Sequence, residues 1–104
     1  MSDNNSKSNE ENEKYSWNPE KRKGIIAKRG LDFVELADFI FADPKLSIIP
    51  DARQDYSEER YLAYAEVGGE RFCLCFTLRE ERIHLITIFK KHYDAQWRRN
   101  YENA

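Results

Sequence analysis

Three apolar segments in the second half of the chain limit its fold more than any other feature. Arg60 to Val67, Arg71 to Leu78 and Arg82 to Phe89 are rich in aromatic and β-branched residues, the side chains that suit a pleated, half-buried surface. The first two are joined through Gly68-Gly69 and the next two through Arg79-Glu80-Glu81. Connections this short join only antiparallel neighbours, because a parallel pair needs a crossover of a dozen or more residues. The second half therefore reads as an antiparallel meander.

The first half has helical signals instead. Asn18, Pro19 and Glu20 are an N-cap, a proline at the first helical position and an acid in the first turn. Lys28 and Arg29 fall in the last turn and Gly30 ends it, which predicts a helix over 19–29. Asp32 to Glu35 has the form of a capping box. Val34, Leu36, Ala37, Phe39, Ile40 and Phe41 supply a buried stripe, and Asp43-Pro44 stops the second helix. Leu46 to Ile49 is a short β-rich run, Pro50 to Ser57 a polar loop. A final helix is expected over 94–102, with Trp97 and Tyr101 four apart on one face. The expected fold class is α+β in two layers: two N-terminal helices, an antiparallel sheet of about four strands and a C-terminal helix.

A chain of 104 residues supports one small domain. Residues 1–14 are nearly all polar and are expected to form a disordered tail, so the domain is placed at 15–104, opening on Tyr15-Ser16-Trp17 as an edge strand or an anchor onto the core. Charge is segregated behind a net value of −2. Residues 20–30 carry five basic and one acidic side chain, residues 31–81 five and twelve, and residues 82–104 five and two. Two basic ends that meet in the fold would make a polyanion footprint; apart, they are ordinary solvated faces. Cys73 and Cys75 share one face of a strand and cannot easily bridge, which fits buried thiols in a cytosolic protein. No segment has the length of a membrane span or the apolar core of a signal peptide, so a soluble, cytoplasmic protein without membrane partners is expected. There is no phosphate-cradling glycine loop, no metal-ligand spacing and no nucleophile elbow, so neither metal nor cofactor is expected.

A set of short motifs runs in fixed order from Trp17 to about Tyr101. It comprises Trp17-Asn18-Pro19-Glu20-Lys21, Lys28-Arg29-Gly30-Leu31-Asp32-Phe33, Phe41-Ala42-Asp43-Pro44, Glu59-Arg60-Tyr61 and Arg82-Ile83. In order and spacing the set resembles the BrnT family of bacterial toxins. The resemblance implies a RelE-like fold and a metal-independent ribonuclease that arrests translation and growth. It also implies a ribbon-helix-helix antitoxin that neutralises the toxin and makes the DNA contacts itself, leaving RNA as this chain's nucleic-acid partner.

Metal-free RNA cleavage needs a base for the 2′-hydroxyl, an acid for the leaving oxygen and cations for the phosphorane. Arg60 matches a family position and is assigned to phosphate; its other reading is an edge salt bridge with Glu58, Glu59 or a neighbouring acid. Arg82 also matches and shares its strand face with His84, an imidazole that serves either as packing or in proton transfer. His92 follows Lys90 and Lys91 and is the third catalytic candidate, against the reading of a loop histidine. Lys28, Arg29, Arg79, His84, Lys90 and Lys91 are candidate RNA contacts. The chain departs from the family twice: Arg29 stands where histidine is usual, and Phe89 where arginine is usual. Those departures leave open an inactive module that only binds an antitoxin. Direct nucleic-acid binding without cleavage ranks below both, because Tyr61, Tyr64, Phe72 and Phe76 suit a core better than a stacking platform.

Overall fold

A computed structural model describes residues 9–52 and 57–102, so part of the expected polar loop and positions 1–8 of the expected tail lie outside the described residues. The helix signals act where they were read. Asn18 accepts from the backbone N–H groups of Glu20 and Lys21 at 2.9 and 3.0 Å, opening α1 (Pro19–Arg29). Gly30 closes it in the left-handed conformation, φ 67°, where a side chain would be strained. Asp32 accepts from Val34 N–H at 3.0 Å to open α2 (Phe33–Phe41). The same carboxylate receives Arg22 Nε at 2.9 Å and its terminal nitrogen at 2.7 Å, so the cap of α2 also ties α1 to it.

Among the described residues the sheet has six strands in the order β1-β2-β6-β5-β4-β3. These are β1 (Glu10–Glu11), β2 (Tyr15–Trp17), β3 (Ser47–Pro50), β4 (Tyr61–Val67), β5 (Glu70–Arg79) and β6 (Arg82–Lys90). The expected meander is β4-β5-β6, antiparallel throughout. Its turns take positive φ at Gly68 and Gly69, and at Glu80 and Glu81, where two non-glycine residues adopt 51° and 69°. Such turns match the twist of the flanking strands.

The layout expected around that meander is corrected. The sheet is mixed rather than antiparallel and has six strands rather than about four, so the RelE-like scheme of two N-terminal helices, four strands and a C-terminal helix does not describe this chain. Two strands precede α1, and β2 runs parallel to β6, pairing Tyr15 with Ile83, Ser16 with His84 and Trp17 with Leu85. The cause is burial: β2 lies between β1 and β6, and Tyr15, Ser16 and Trp17 are all buried. At the other end, α3 (Ala95–Trp97) is a single turn that widens into a π-helical turn over Arg98–Glu102, in place of one continuous α-helix.

Two cores lie on opposite faces of the sheet. Phe33, Ala37 and Ile40 of α2 and Ile25 of α1 cover Ala63, Ala65, Phe72, Leu74, Phe76, Leu85 and Ile88. Trp97 and Tyr101 cover Leu62, Tyr64, Cys73 and Cys75 on the other. Between Cys75 and Phe76 the register shifts, so that Ile86 is an extra residue on β6. Beyond that bulge Ser16, Thr77, Arg79, Arg82 and His84 share the second face through their register pairs. The C-terminal core does not include this part of the sheet, where Ser16, Thr77 and His84 are buried and Thr77 Oγ1 donates to the Glu59 carbonyl. No helix among the described residues is long and apolar enough to cross a membrane.

Candidate functional site

His84 sits between Ser16 and Thr77 on this face, the register partner of both. Its Nδ1 lies 2.8 Å from Ser16 Oγ, and it is only 6% exposed. Burial pushes its pKa below the ordinary 6.5, the charges of Arg79 and Arg60 push the same way, and Glu58 opposes them. The imidazole is therefore held in its neutral form at neutral pH, as a base requires.

Arg79, at the end of β5, makes a two-point bond to Glu58, 3.1 Å from Nε and 2.6 Å from a terminal nitrogen. That bond holds the Glu58 carboxyl below its usual range, and Arg60 adds to the effect. Arg60 precedes β4 and lines, with Arg79, His84, Asn18 and Lys21, a cleft of about 410 Å³. Two guanidinium groups, an ammonium and a neutral imidazole thus face one space. This set can grip an oxyanion and move a proton beside it.

A second depression of about 480 Å³ continues along α1, lined by Lys21, Lys28, Arg29, Thr87 and Phe89. Glu20 and Lys21 line both, so the two form one groove. A terminal nitrogen of Arg29 donates to Thr87 Oγ1 at 2.9 Å and to the Ile88 carbonyl at 3.1 Å. The guanidinium carbon lies 4.7 Å from the centre of the Phe89 ring, a cation–π contact. The two basic ends of the sequence do not pool their cations in this groove: those of α1 are set against uncharged residues of β6 and share the groove with Arg60 and Arg79 from the middle of the chain.

The structure brings together Arg60, Arg79 and His84, and, further along the groove, Lys28 and Arg29. It does not bring His92 to them, and Arg82, paired in register with Arg79, lines a neighbouring depression with Arg79 and Ser16 rather than the groove itself. Arg82 is turned toward the N-terminal segment, where Nε donates to the Asn12 carbonyl at 2.7 Å and a terminal nitrogen pairs with Glu11 at 3.3 Å. His92 is exposed in the loop between β6 and α3. Lys90 pairs with Glu70 at 3.2 Å, and Lys91 donates to Gln96 at 3.0 Å; both line a separate cleft. Three residues escaped sequence reasoning, Lys21 in the groove and two that hold its side chains, Ser16 at His84 and Glu58 at Arg79. Lys21 was part of the Trp17–Lys21 motif and could have been found there; Ser16 and Glu58 depend on strand pairing and left no signal.

A model of the family described as ribonuclease toxin, BrnT, of type II toxin-antitoxin systems matches residues 17–92. No curated protein and no solved structure matches the chain. The matched span includes every groove residue named above, and leaves out Ser16, the partner of His84.

Proposed function

We propose, for a chain that belongs to the BrnT family of ribonuclease toxins of type II toxin-antitoxin systems, that the cleft holding Arg60, Arg79 and His84 cleaves RNA without a metal. The convergence of those three side chains in one cleft carries the proposal. With Nδ1–H of His84 donating to Ser16, Nε2 keeps its lone pair and takes the proton of a ribose 2′-hydroxyl. The hydroxyl oxygen attacks the adjacent phosphorus, and Arg60 and Arg79 stabilise the phosphorane as charge builds on its oxygens. The bond to the 5′-oxygen then breaks; that oxygen takes a proton on the side of Lys21, leaving a 2′,3′-cyclic phosphate. Arg79 exchanges Glu58 for phosphate when RNA enters.

In this reading the outcome in the cell is arrested translation and growth, relieved by a ribbon-helix-helix antitoxin that covers the groove and contacts DNA in this chain's place. The reading as an inactive antitoxin-binding module rested on two departures, Phe89 in place of an arginine and Arg29 in place of a histidine. Arg29 over the Phe89 ring supplies a guanidinium at that place, which favours the enzyme.

The test is cleavage of single-stranded RNA by purified protein in the presence of a chelator. Arg60→Ala and His84→Ala should each lower the rate about a hundredfold or more, the usual cost of losing one transition-state contact. RNA left intact by folded wild-type protein, or variants that cleave at the wild-type rate, would overturn the assignment. Growth on induced expression, with and without the product of the adjacent gene, tests the toxin-antitoxin pairing.

A further inference from the structure

The basic groove does not end at Phe89. That ring also forms part of the wall of a third cleft, of about 490 Å³, between the sheet and the C-terminal turn. Its apolar lining includes Leu62, Tyr64 and Cys73, and its polar lining Gln96, Asn100 and the carboxylate of Asp51. Lys90 and Lys91 line it as well, so two cations stand at the strand end that leaves the groove. The size lies within the range of roughly 300–1,000 Å³ common for small-molecule sites.

We propose that this cleft holds one unstacked RNA base, next to the phosphate gripped in the groove, and so sets the sequence at which the RNA is cut. The inference rests on the ribonuclease reading above. Four observations select a base as the occupant. The Phe89 ring is half-buried in the wall and offers a π-face, and base–aromatic stacking is a main source of affinity for single strands. Phe89 lines this cleft as well as the depression that holds Arg29, so a strand following the groove passes directly from one to the other. Gln96 and Asn100 carry amides, each with donors and an acceptor, and side-chain amides read base edges. Lys90 and Lys91 line the cleft, and ammonium groups there suit the phosphates that flank an inserted nucleotide.

The backbone supports this placement. Asn100 lies inside the π-helical turn Arg98–Glu102, whose wider winding is common at functional positions. Trp97 stacks on Tyr101 with ring centres 4.6 Å apart and packs on Tyr64 at 5.7 Å, so the element carrying the amides is anchored on the sheet. None of the proposed base contacts belongs to the cleavage set of Arg60, Arg79 and His84.

Binding separates this inference from the cleavage reading. Short single-stranded RNAs with 2′-deoxy positions to block cleavage would carry one abasic ribose, moved along the strand position by position. Wild-type protein should lose roughly tenfold or more in affinity when the abasic residue occupies one particular position, and little elsewhere. Asn100→Ala and Phe89→Leu should erase that penalty, and in a mapped digest of random-sequence RNA they should flatten the preference beside the cut. Circular dichroism confirms that the variants are folded; Gln96→Ala, at an exposed side chain, provides a variant that the core does not feel.

Equal affinity for every abasic RNA, or an unchanged cutting preference in all three variants, would overturn the base site while leaving ribonuclease activity in place. Failure of wild-type protein both to bind and to cut RNA would overturn the cleavage reading and the base site with it. Release of a peptide segment of the antitoxin on mutating this cleft, with the abasic series flat, would assign the space to the protein partner and also overturn the proposal.

Discussion

Arg29 and Phe89 each depart from the pattern of the family, and each taken alone removes an expected group. Together they form a contact, a guanidinium 4.7 Å from the centre of an aromatic ring. The sequence shows the two departures but not that they touch, because they are 60 positions apart and meet only where α1 packs against β6. His84 was similarly half legible. Its strand face followed from the period of two, whereas its burial depends on Ser16 of a strand whose pairing is nonlocal. That burial leads to a prediction about stability. The folded-state pKa of His84 lies below 6.5, its ordinary value, so below that pH the unfolded chain binds the proton more readily. Its contribution is complete above 6.5 and is lost as pH falls toward the folded value. The carboxyl groups held low by their partners, Asp32, Asp43 and Glu58 among them, lose their contributions only at more acidic pH. Denaturant midpoints measured between about pH 7 and about pH 5 should therefore fall for the wild type and stay flat for His84→Gln. An equal fall in the variant would show that His84 is not the group responsible.

The helices could be read from the sequence because their signals are local, a cap here and a glycine there, whereas Tyr15–Trp17 was legible only as an edge strand or an anchor; its place inside the sheet, parallel to β6 with β1 outside it, depends on nonlocal pairing. The aromatic pair of Trp97 and Tyr101 was legible as one face, but the widening of that element was not. Tyr101 reaches outward to donate to Asp43 at 2.7 Å, and the same carboxylate oxygen accepts from Glu66 N–H at 2.8 Å. The Phe41–Pro44 motif thus joins the end of α2, strand β4 and the C-terminal turn. Tyr101→Phe deletes one hydrogen bond to a charged acceptor and should cost about 1–2 kcal/mol in urea unfolding; a loss well under about half a kcal/mol would mean that stacking on Trp97 alone holds the turn. Gly24 presents the opposite case. It is in the interior of α1, and a Cβ built there meets nothing within 4 Å. Gly24→Ala should stabilise the fold by roughly 0.5–1 kcal/mol through the helix propensity of alanine, seen as a higher Tm. If RNA affinity falls at the same time, the open space beside Gly24 in the groove is space the RNA uses.

At the scale of the whole molecule, the charge segregation visible in the sequence becomes a path. Lys21, Lys28, Arg29, Arg60 and Arg79 line a single groove although the chain as a whole is acidic. What the sequence could not supply was the order of these cations in space, since Arg60 and Arg79 come from the meander and the others from the far side of α1. The path fixes how binding should respond to salt. Each phosphate neutralised on a single strand releases counterions and contributes about −0.7 to the slope of log affinity against log salt. Arg79 is engaged with Glu58 and Arg29 with Thr87 and the Ile88 carbonyl, so three to five contacts and a slope of roughly −2 to −3.5 are expected. Lys21→Ala should make the slope shallower by about 0.7 and weaken all RNA sequences alike. Arg82→Ala serves as the control at equal charge, because its guanidinium is turned to Asn12 and Glu11 outside the groove. A slope that shifts as much for Arg82→Ala as for Lys21→Ala would mean that the RNA responds to net charge and not to the groove, and the site would then have to be sought where Arg82 lies, on the β1 side of the sheet.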